Sequence, residues 1–326
     1  MTKTRWGILG CGSIAKSFAV GLQALPDAEL MAVGSRSQEK ANAFGEHFGA
    51  THCHGGYAAL AEDPDVDVVY IATPHPMHAA DSLLCLAAGK AVLSEKPFTV
   101  NAQEAEQVIA SAREKKLFLM EGMWSRFFPL MARLRRMLKE LEIGDPRLVQ
   151  ADFGFRAGIH PEGRLFNPDL GGGALLDVGV YCISLASMLF GSPNAVTGLA
   201  HIGETGVDEQ STITLRYDGG RLAVLSTAIR TNTSHEVMLW GTTGRIKIHS
   251  PWWKPTAMTV WREGQDPEEI TIPMEGNGFH YEAAEVMSCL RDGRLESEIL
   301  PLDETLEIMR TMDTLRAQWG LKYPME

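Results

Sequence analysis

The stretch RWGILGCGSIA, residues Arg5 to Ala15, decides how this chain is read. A short apolar run, Arg5–Leu9, leads into Gly10, Gly12 and Ala15 at the spacing of a GxGxxA turn. One reading is a secretory leader. Lys3 and Arg5 would supply its positive charge, the apolar run its hydrophobic region, and Ala15 a small residue near a cleavage point. The other reading is a strand, a tight turn and a helix that receive a pyrophosphate. The sequence beyond residue 15 separates the two.

From residue 4 to about 122, short apolar runs alternate with helical patterns. The runs are Arg5–Leu9, Ala28–Gly34, Asp67–Thr73, Lys90–Ser94 and Leu117–Met120. They are too continuously apolar for strands with one wet face, so they predict buried parallel strands. Ile14, Phe18, Leu22 and Leu25 keep helical spacing, and Gly89 closes a helix that begins near Pro76. Asn101 and Glu104 form a capping pair for a helix over Ala102–Lys115. Repeated strand–helix–strand units imply right-handed crossovers and a doubly wound parallel sheet.

After about residue 145 the texture changes. Arg147–Arg156 reads as a strand and Ala174–Leu189 as a helix. Glu209–Tyr217 and Arg221–Ala228 flank Asp218-Gly219-Gly220, and Glu236–Trp240 and Arg245–His249 flank a second tight turn. Ile213, Leu215 and Tyr217 alternate with polar residues, the pattern of an antiparallel sheet with one wet face. Short strands near Met258–Trp261 and Glu269–Ile272 precede helices near Phe279–Arg291 and Asp303–Trp319. The fold class is therefore α/β. A nucleotide-binding domain over residues 1–122 is followed by an α+β domain over 123–326, whose last helix is free to pack back on the first.

The bulk composition narrows the function classes. With 30 Lys and Arg against 41 Asp and Glu, the 326 residues carry a net charge of −11, which speaks against nucleic-acid and anionic-membrane partners. No apolar run approaches the roughly 20 residues that span a bilayer. Five scattered cysteines without a CxxC pair suit neither a disulfide framework nor a zinc site. They favour a reducing cytoplasm and count against the leader.

In its strand–helix–strand context the glycine turn becomes a dinucleotide site. Gly10 permits the tight turn, Gly12 lets the backbone approach the pyrophosphate, and the amides from Ser13 and Ile14 onward hold the phosphates. The second strand ends in Gly34, Ser35 and Arg36, where an NAD site usually places an acid on the ribose 2′-hydroxyl. A hydroxyl beside a guanidinium, with Lys40 one turn on, suits a 2′-phosphate, so NADP is expected ahead of NAD. Thr73-Pro74-His75-Pro76-Met77-His78 and Ser94-Glu95-Lys96-Pro97 stand at the carboxyl ends of the next two strands, which directs Lys96 toward the cofactor. His75 and His78 lack the further cluster that a zinc shell needs, so no metal ligands are expected.

The motifs GCGSIA, TPHPMH, SEKPFT and GGGALLDVGVY together resemble the glucose–fructose oxidoreductase, inositol dehydrogenase and rhizopine catabolism (Gfo/Idh/MocA) family. MEGMWSRFFP (120–129) and FNPDLGGGALLDVGVY (166–181) are most similar to the branch that contains dihydrodiol and xylose dehydrogenases. The resemblance implies a Rossmann domain followed by a domain with a large open-faced antiparallel sheet. It also implies NAD(P)-dependent redox of a hydroxyl or carbonyl on a small-molecule sugar, polyol or diol, and a homodimer or tetramer. It further assigns Lys96 to the reacting centre, Pro97 to the nicotinamide, and Asp177 and Tyr181 to the D-x-G-x-(H/Y) motif. Trp124 and Arg126, and more weakly Arg156, Phe166 and Asn167, are implied to line the substrate pocket.

Asp177 and Tyr181 are four apart on a helix and share a face. A phenol is a weak base at neutral pH until a nearby ammonium such as Lys96 stabilises its phenolate. Either Tyr181 or Lys96 then carries the proton. Read alone, Tyr181 would pass as a core aromatic and Asp177 as a cap. A regulator that binds NADP and a sugar without turnover is the alternative, and it need not retain Lys96, Asp177 and Tyr181 together. Arg133, Arg135 and Arg136 are expected on a solvated helix face whose apolar side is Leu130, Leu134, Met137 and Leu141. Trp252-Trp253 either packs under the sheet or meets another subunit.

Overall fold

A computed structural model describes residues 3–326 and divides into two compact units. The first comprises the chain up to Trp124 together with Glu275–Leu306, and the second Ser125–Met274 with Glu307–Glu326. Residues 275–306 thus fold with the nucleotide-binding half, where the sequence reading had placed only a final helix as an option.

The first unit runs β1 (Thr4–Leu9), α1 (Ser13–Leu22), β2 (Ala28–Gly34), α2 (Gln38–Phe48), β3 (His52–His54), α3 (Tyr57–Ala61), β4 (Val68–Ile71), α4 (His78–Ala87), β5 (Ala91–Glu95), α5 (Ala102–Lys115) and β6 (Leu119–Gly122). Its six strands are parallel in the order β3-β2-β1-β4-β5-β6. The order reverses between β1 and β4, and doubly wound sheets bind ligands beyond the strand ends at that point. Every residue of β4, β5 and β6 is buried, as continuous apolar runs require. Phe18 of α1 stacks on Tyr70 of β4 with ring centroids 3.7 Å apart and meets Trp6 edge-on. The Asn101–Glu104 pair forms as read, with the Glu104 amide donating to Asn101 Oδ1 at 2.9 Å.

The second unit opens with α6 (Pro129–Lys139) and β7 (Pro146–Gly154). After a long loop, α7 (Val180–Phe190) precedes β8 (Ala195–Ile202), β9 (Asp208–Arg216), β10 (Leu222–Ala228), β11 (Val237–Gly241), β12 (Gly244–Ile248), β13 (Ala257–Arg262) and β14 (Glu268–Thr271). These strands form one sheet in the order β14-β13-β12-β11-β7-β10-β9-β8. It is mostly antiparallel, with one exception that the sequence did not disclose: β7 and β10 are parallel neighbours. Val149, Leu215, Ala223, Leu239 and Ile246 are buried on one face of it. By length and composition alone residues 168–190 could cross a membrane, but the stretch carries Asp169 and Asp177 and most of it is buried inside the unit.

Two local expectations fail. Leu141 follows α6 in a left-handed conformation and is exposed, so it is no part of the apolar face. Arg135 is only partly exposed because its Nη1 donates to the Arg126 carbonyl at 2.7 Å. Trp252 is resolved in favour of packing: it is buried and donates Nε1 to the Asp152 carbonyl, while Trp253 stacks on Phe153. Two more helices finish the chain. The first, α8 (Phe279–Asp292), lies on α1: Asn277 donates to the Ser17 carbonyl at 2.7 Å and Phe279 meets Phe18 edge-on. Of the second, α9 (Leu302–Trp319), the first turn belongs to the first unit and the remainder to the second.

Candidate active site

At the end of β1, Gly10 adopts φ +109°, and a Cβ there would fall 2.7 Å from the Ala72 carbonyl oxygen. Only glycine fits so close a turn. Gly12 is extended at the start of α1, and nothing lies within 4 Å of where its Cβ would be. No side chain caps that helix, and no acid sits in its first turn. Ser13 is exposed and Ile14 half-buried, while Ala15 is fully buried against the sheet. The start of α1 thus has open space beside Gly12 and no side-chain cap, the geometry in which helix amides can receive a pyrophosphate.

At the end of β2, Ser35 is buried: its amide donates to the His54 carbonyl at 3.0 Å, and its Oγ accepts the Ser37 amide at 3.3 Å. Arg36 is exposed, and its guanidinium lies near enough to the Tyr57 phenol for its charge to act on it. Burial pushes that phenol up, and the guanidinium opposes the shift. Tyr57 was missed from sequence because it lies 21 residues from its partner, on α3. Beside this loop Cys11, Lys16, Lys40, Ala43, Phe44, His47 and Phe48 line a cavity of about 480 Å³, which adds two ammonium groups near the phosphate turn.

The ends of β4 and β5 are tied together by His78. It is fully buried, with Nδ1 2.8 Å from the Pro97 carbonyl and Nε2 2.8 Å from the Thr73 carbonyl. A neutral imidazole, the form that burial favours here, donates only one N–H, so only one of the two carbonyls accepts a hydrogen bond at any moment. Thr73 donates Oγ1 to Asp81 at 2.8 Å, and burial raises that carboxyl. Pro74 is half-buried and His75 buried, its ring 5.8 Å from that of His78. The two histidines therefore shape the loops. Glu95 accepts hydrogen bonds from the Tyr70 hydroxyl and the Lys96 amide, fixing the backbone where the partly exposed Lys96 leaves the sheet. Beneath it Glu282 of α8 is completely buried with neither carboxyl oxygen hydrogen-bonded, and burial together with the nearby Glu95 raises its pKa. Trp124 is also buried in this unit, stacked on Phe279 at 4.4 Å.

In the second unit, Asp177 lies on a π-turn over Leu175–Gly179 that runs straight into α7. A π-turn is wider than an α-turn, and such bulges often mark functional sites. Arg164, a residue the sequence did not single out, donates Nη1 to Asp177 Oδ1 at 2.7 Å and Nη2 to Oδ2 at 3.5 Å. Tyr181 follows, largely buried, with its ring 5.3 Å from Phe153. Phe166 is buried and Asn167 caps the next turn by accepting the Asp169 amide, whereas Arg156 is exposed and its amide donates to Asn232. Arg126 is buried and donates Nε and Nη2 to the hydroxyl and carbonyl of Ser184, one turn beyond Tyr181. In this arrangement Arg126 anchors α7.

The glycines of GGGALLDVGVY now have a cause. Asp208 of β9 is buried and accepts the Leu175 amide at 2.7 Å, capping the π-turn. Gly173 adopts φ +115°, and a Cβ there would sit 2.2 Å from Asp208 Oδ1. Tyr323 donates its hydroxyl to the Gly172 carbonyl at 2.6 Å. Burial pushes the Asp208 carboxyl up to about 7 despite that amide bond. Of the chemical set, Lys96 belongs to the first unit and Asp177 and Tyr181 to the second.

Comparison with known proteins agrees with this geometry. Residues 4–123 match the family model of an oxidoreductase with an NAD-binding Rossmann fold, and residues 131–247 match a GFO/IDH/MocA C-terminal domain. The trans-1,2-dihydrobenzene-1,2-diol dehydrogenase of Xenopus tropicalis is 39% identical over 98% of this chain and 99% of its own length, and that of Homo sapiens 38% over 99% and 98%. Among solved structures, KijD10, a 3-ketoreductase from Actinomadura kijaniata in complex with NADP and TDP-benzene, is 29% identical with a TM-score of 0.86, covering 97% of this chain and 98% of that one. An aldose–aldose oxidoreductase from Caulobacter crescentus is 26% identical with a TM-score of 0.87, covering 96% of both chains. The uncapped glycine turn, the reversal of strand order beside it and these full-length likenesses have one reading: the chain belongs to the Gfo/Idh/MocA family of NAD(P)-binding oxidoreductases.

Proposed function

We propose that the protein is an NADP-dependent dehydrogenase or reductase acting at a CH–OH carbon of a sugar, a polyol or a trans-dihydrodiol. The observation that carries this reading is the gathering of the glycine turn, Ser35–Arg36, Thr73–His78 and Lys96–Pro97 at the carboxyl ends of β1, β2, β4 and β5. NADP is favoured by the end of β2, where Ser35 and Arg36 stand in place of an acid. The ketoreductase solved with NADP supports the same choice. Trans-dihydrodiols are the first substrates to try, because the relatives at 38–39% identity are named for them.

When bound, the nicotinamide supplies the hydride acceptor. Tyr181 takes the hydroxyl proton on its phenolic oxygen during oxidation and returns it during reduction. The Lys96 ammonium stabilises the phenolate and hydrogen-bonds the reacting oxygen. Asp177, oriented by Arg164, receives the neighbouring hydroxyl, a group that diols and sugars have and simple alcohols lack. We place the protein in the cytoplasm, in keeping with its five free cysteines, and assign it a homodimer built on the exposed face of the second sheet.

The test is to follow reduced-nicotinamide absorbance with NADP⁺ or NAD⁺ against aromatic trans-dihydrodiols, aldoses, ketoses and inositols, and with NADPH against the matching carbonyls. Turnover of at least one class, faster with NADP⁺, is expected. Tight NADPH binding with no turnover in either direction would instead make the protein a sensor and overturn the reading.

A further inference from the structure

Away from the cofactor loops, at the outer edge of the six-stranded sheet, two histidines and an aspartate converge. His52 and His54 are alternate residues of β3 and project to the same side of the strand. His52 donates Nδ1 to Asp63 Oδ2 at 2.7 Å, and His54 donates Nε2 to the same oxygen at 2.8 Å. These three donor atoms all lie within 4.8 Å of one another. Asp63 is buried just past the end of α3, and the two imidazoles are partly exposed, which leaves an entry path.

The set is held in place from outside. Asp63 Oδ1 accepts the Asp65 amide at 2.9 Å, which fixes the plane of the carboxylate and turns Oδ2 toward the histidines. Lys90 donates Nζ to the Asp63 and Val66 carbonyls at 2.6 and 2.8 Å, which fixes the backbone on either side. Supporting contacts of this kind orient metal ligands. We propose that His52, His54 and Asp63 form a site for a divalent transition metal of the zinc class, with water in the fourth position.

Two imidazoles and one carboxylate are the donor set of a three-ligand zinc site, with bonds of about 2.0–2.2 Å. Tetrahedral ligands at that length stand about 3.4 Å apart. The ion therefore takes the place of the shared protons and widens the contacts of 2.7 and 2.8 Å by about 0.6–0.7 Å, within reach of small side-chain rotations. The proton that each imidazole shares with Asp63 shifts to the other ring nitrogen where the ring is neutral and leaves to solvent where it is an imidazolium, so each metal-bound imidazole carries its N–H on the far nitrogen.

The ion joins the sheet edge to the end of α3 and so brackets residues 55–62. That segment carries Tyr57, whose phenol feels the charge of Arg36, while the His54 carbonyl accepts the Ser35 amide. Metal occupancy is thereby coupled to the loop assigned to the 2′-phosphate, and the coupling is reciprocal. This second step rests on the NADP reading, whereas the site itself does not.

Zn²⁺ titration of the whole protein, by calorimetry and by competition with a chromophoric chelator, tests the site. One ion per chain at micromolar affinity or tighter is expected. His52→Gln and His54→Gln should each weaken it by roughly tenfold or more. Both positions are exposed enough to tolerate glutamine, and Co²⁺ absorption of the native protein gives a readout that needs no variant. No saturable binding up to about a hundredfold molar excess, or binding that both variants retain in full, overturns the proposal. NADPH fluorescence titration with and without Zn²⁺ tests the coupling: a changed affinity that His54→Gln abolishes supports it, and an unchanged affinity in a zinc-bound protein overturns the coupling alone.

Discussion

Arg36 stands exposed at the carboxyl end of β2 with the Tyr57 phenol within reach of its charge, and Lys16 and Lys40 line the cavity beside it. Replacing that cation with an anion removes a charge-assisted contact to a 2′-phosphate and adds repulsion. Arg36→Asp should therefore cost about 2–4 kcal/mol of NADPH binding and leave NADH nearly unchanged. Equal affinity of the native protein for the two reduced cofactors, read by fluorescence titration, would remove Arg36 from this role. Tyr181→Phe deletes only a hydroxyl and keeps the packing on Phe153, so folding and cofactor binding should persist while kcat drops roughly 10²-fold or more. Lys96→Met should lose at least as much. The double variant should fall far short of the product of the two, because in the proposed mechanism both residues act on one proton. Near-normal turnover in Tyr181→Phe, with hydride transfer rate-limiting, would move the proton to Lys96. All three candidates were picked out of the sequence by short stretches whose place after a strand or on a helix could be read locally. Arg164 and Tyr57 were not, since each acts on a partner 13 or 21 residues away through a turn that local patterns do not encode.

The helix that carries Asp177 shows the same limit one level up. Apolar continuity placed a helix over residues 174–189, and the structure has one there, but nothing in that run announces its π-turn or its cap. The cap is Asp208, 33 residues on, and Gly173 is glycine because Asp208 Oδ1 occupies the space of its Cβ. Strand β9 was legible because its buried and exposed residues alternate, whereas β3 has only three residues and every residue of β8 keeps some exposure. The parallel pairing of β7 with β10 has no local signature at all. Asp208 also makes the cap sensitive to pH. Its carboxyl is raised from 3.8 to about 7, so the native state holds a proton that the unfolded chain has released. The resulting stability is fully present below about pH 4 and is lost as pH rises toward 7. Asp208→Asn keeps an oxygen for the Leu175 amide and cannot ionise. Denaturant midpoints at pH 5 and pH 8 should therefore differ less in the variant than in the native protein. An identical difference in both would assign the pH dependence elsewhere, with Glu282 the next buried carboxyl to examine.

At the scale of the whole molecule, the second sheet poses a solvation problem. Its inner face is buried under α7 and the π-turn, but its outer face leaves Leu199 80% exposed and Leu222 and Val224 each 39% exposed. Register puts these residues on one surface: Leu222 lies opposite Leu148, and Val224 opposite Gln150 on β7 and Thr214 on β9. Further along the same face Arg245 lies over the Trp261 ring at 4.6 Å and pairs with Trp240 across β11 and β12. Leucine, valine and tryptophan interleaved with Thr212, Thr214 and Gln150 on the outer face of a wide sheet form the surface that we assign to a second copy, and a stable interface needs about 1,200–2,000 Å² in all. The native protein should therefore run as a dimer, or a tetramer built from it, at micromolar concentration in light scattering. Val224→Glu places a carboxylate near the middle of the sheet on its outer face, where the folded subunit still exposes it to water. It should shift the mass to that of one chain. Because the nucleotide loops belong to the other unit, the variant should bind NADPH as the native protein does, which separates loss of assembly from loss of fold. A native mass of one chain would refute the dimer outright. An unchanged mass in Val224→Glu would move the contact to another surface of the molecule.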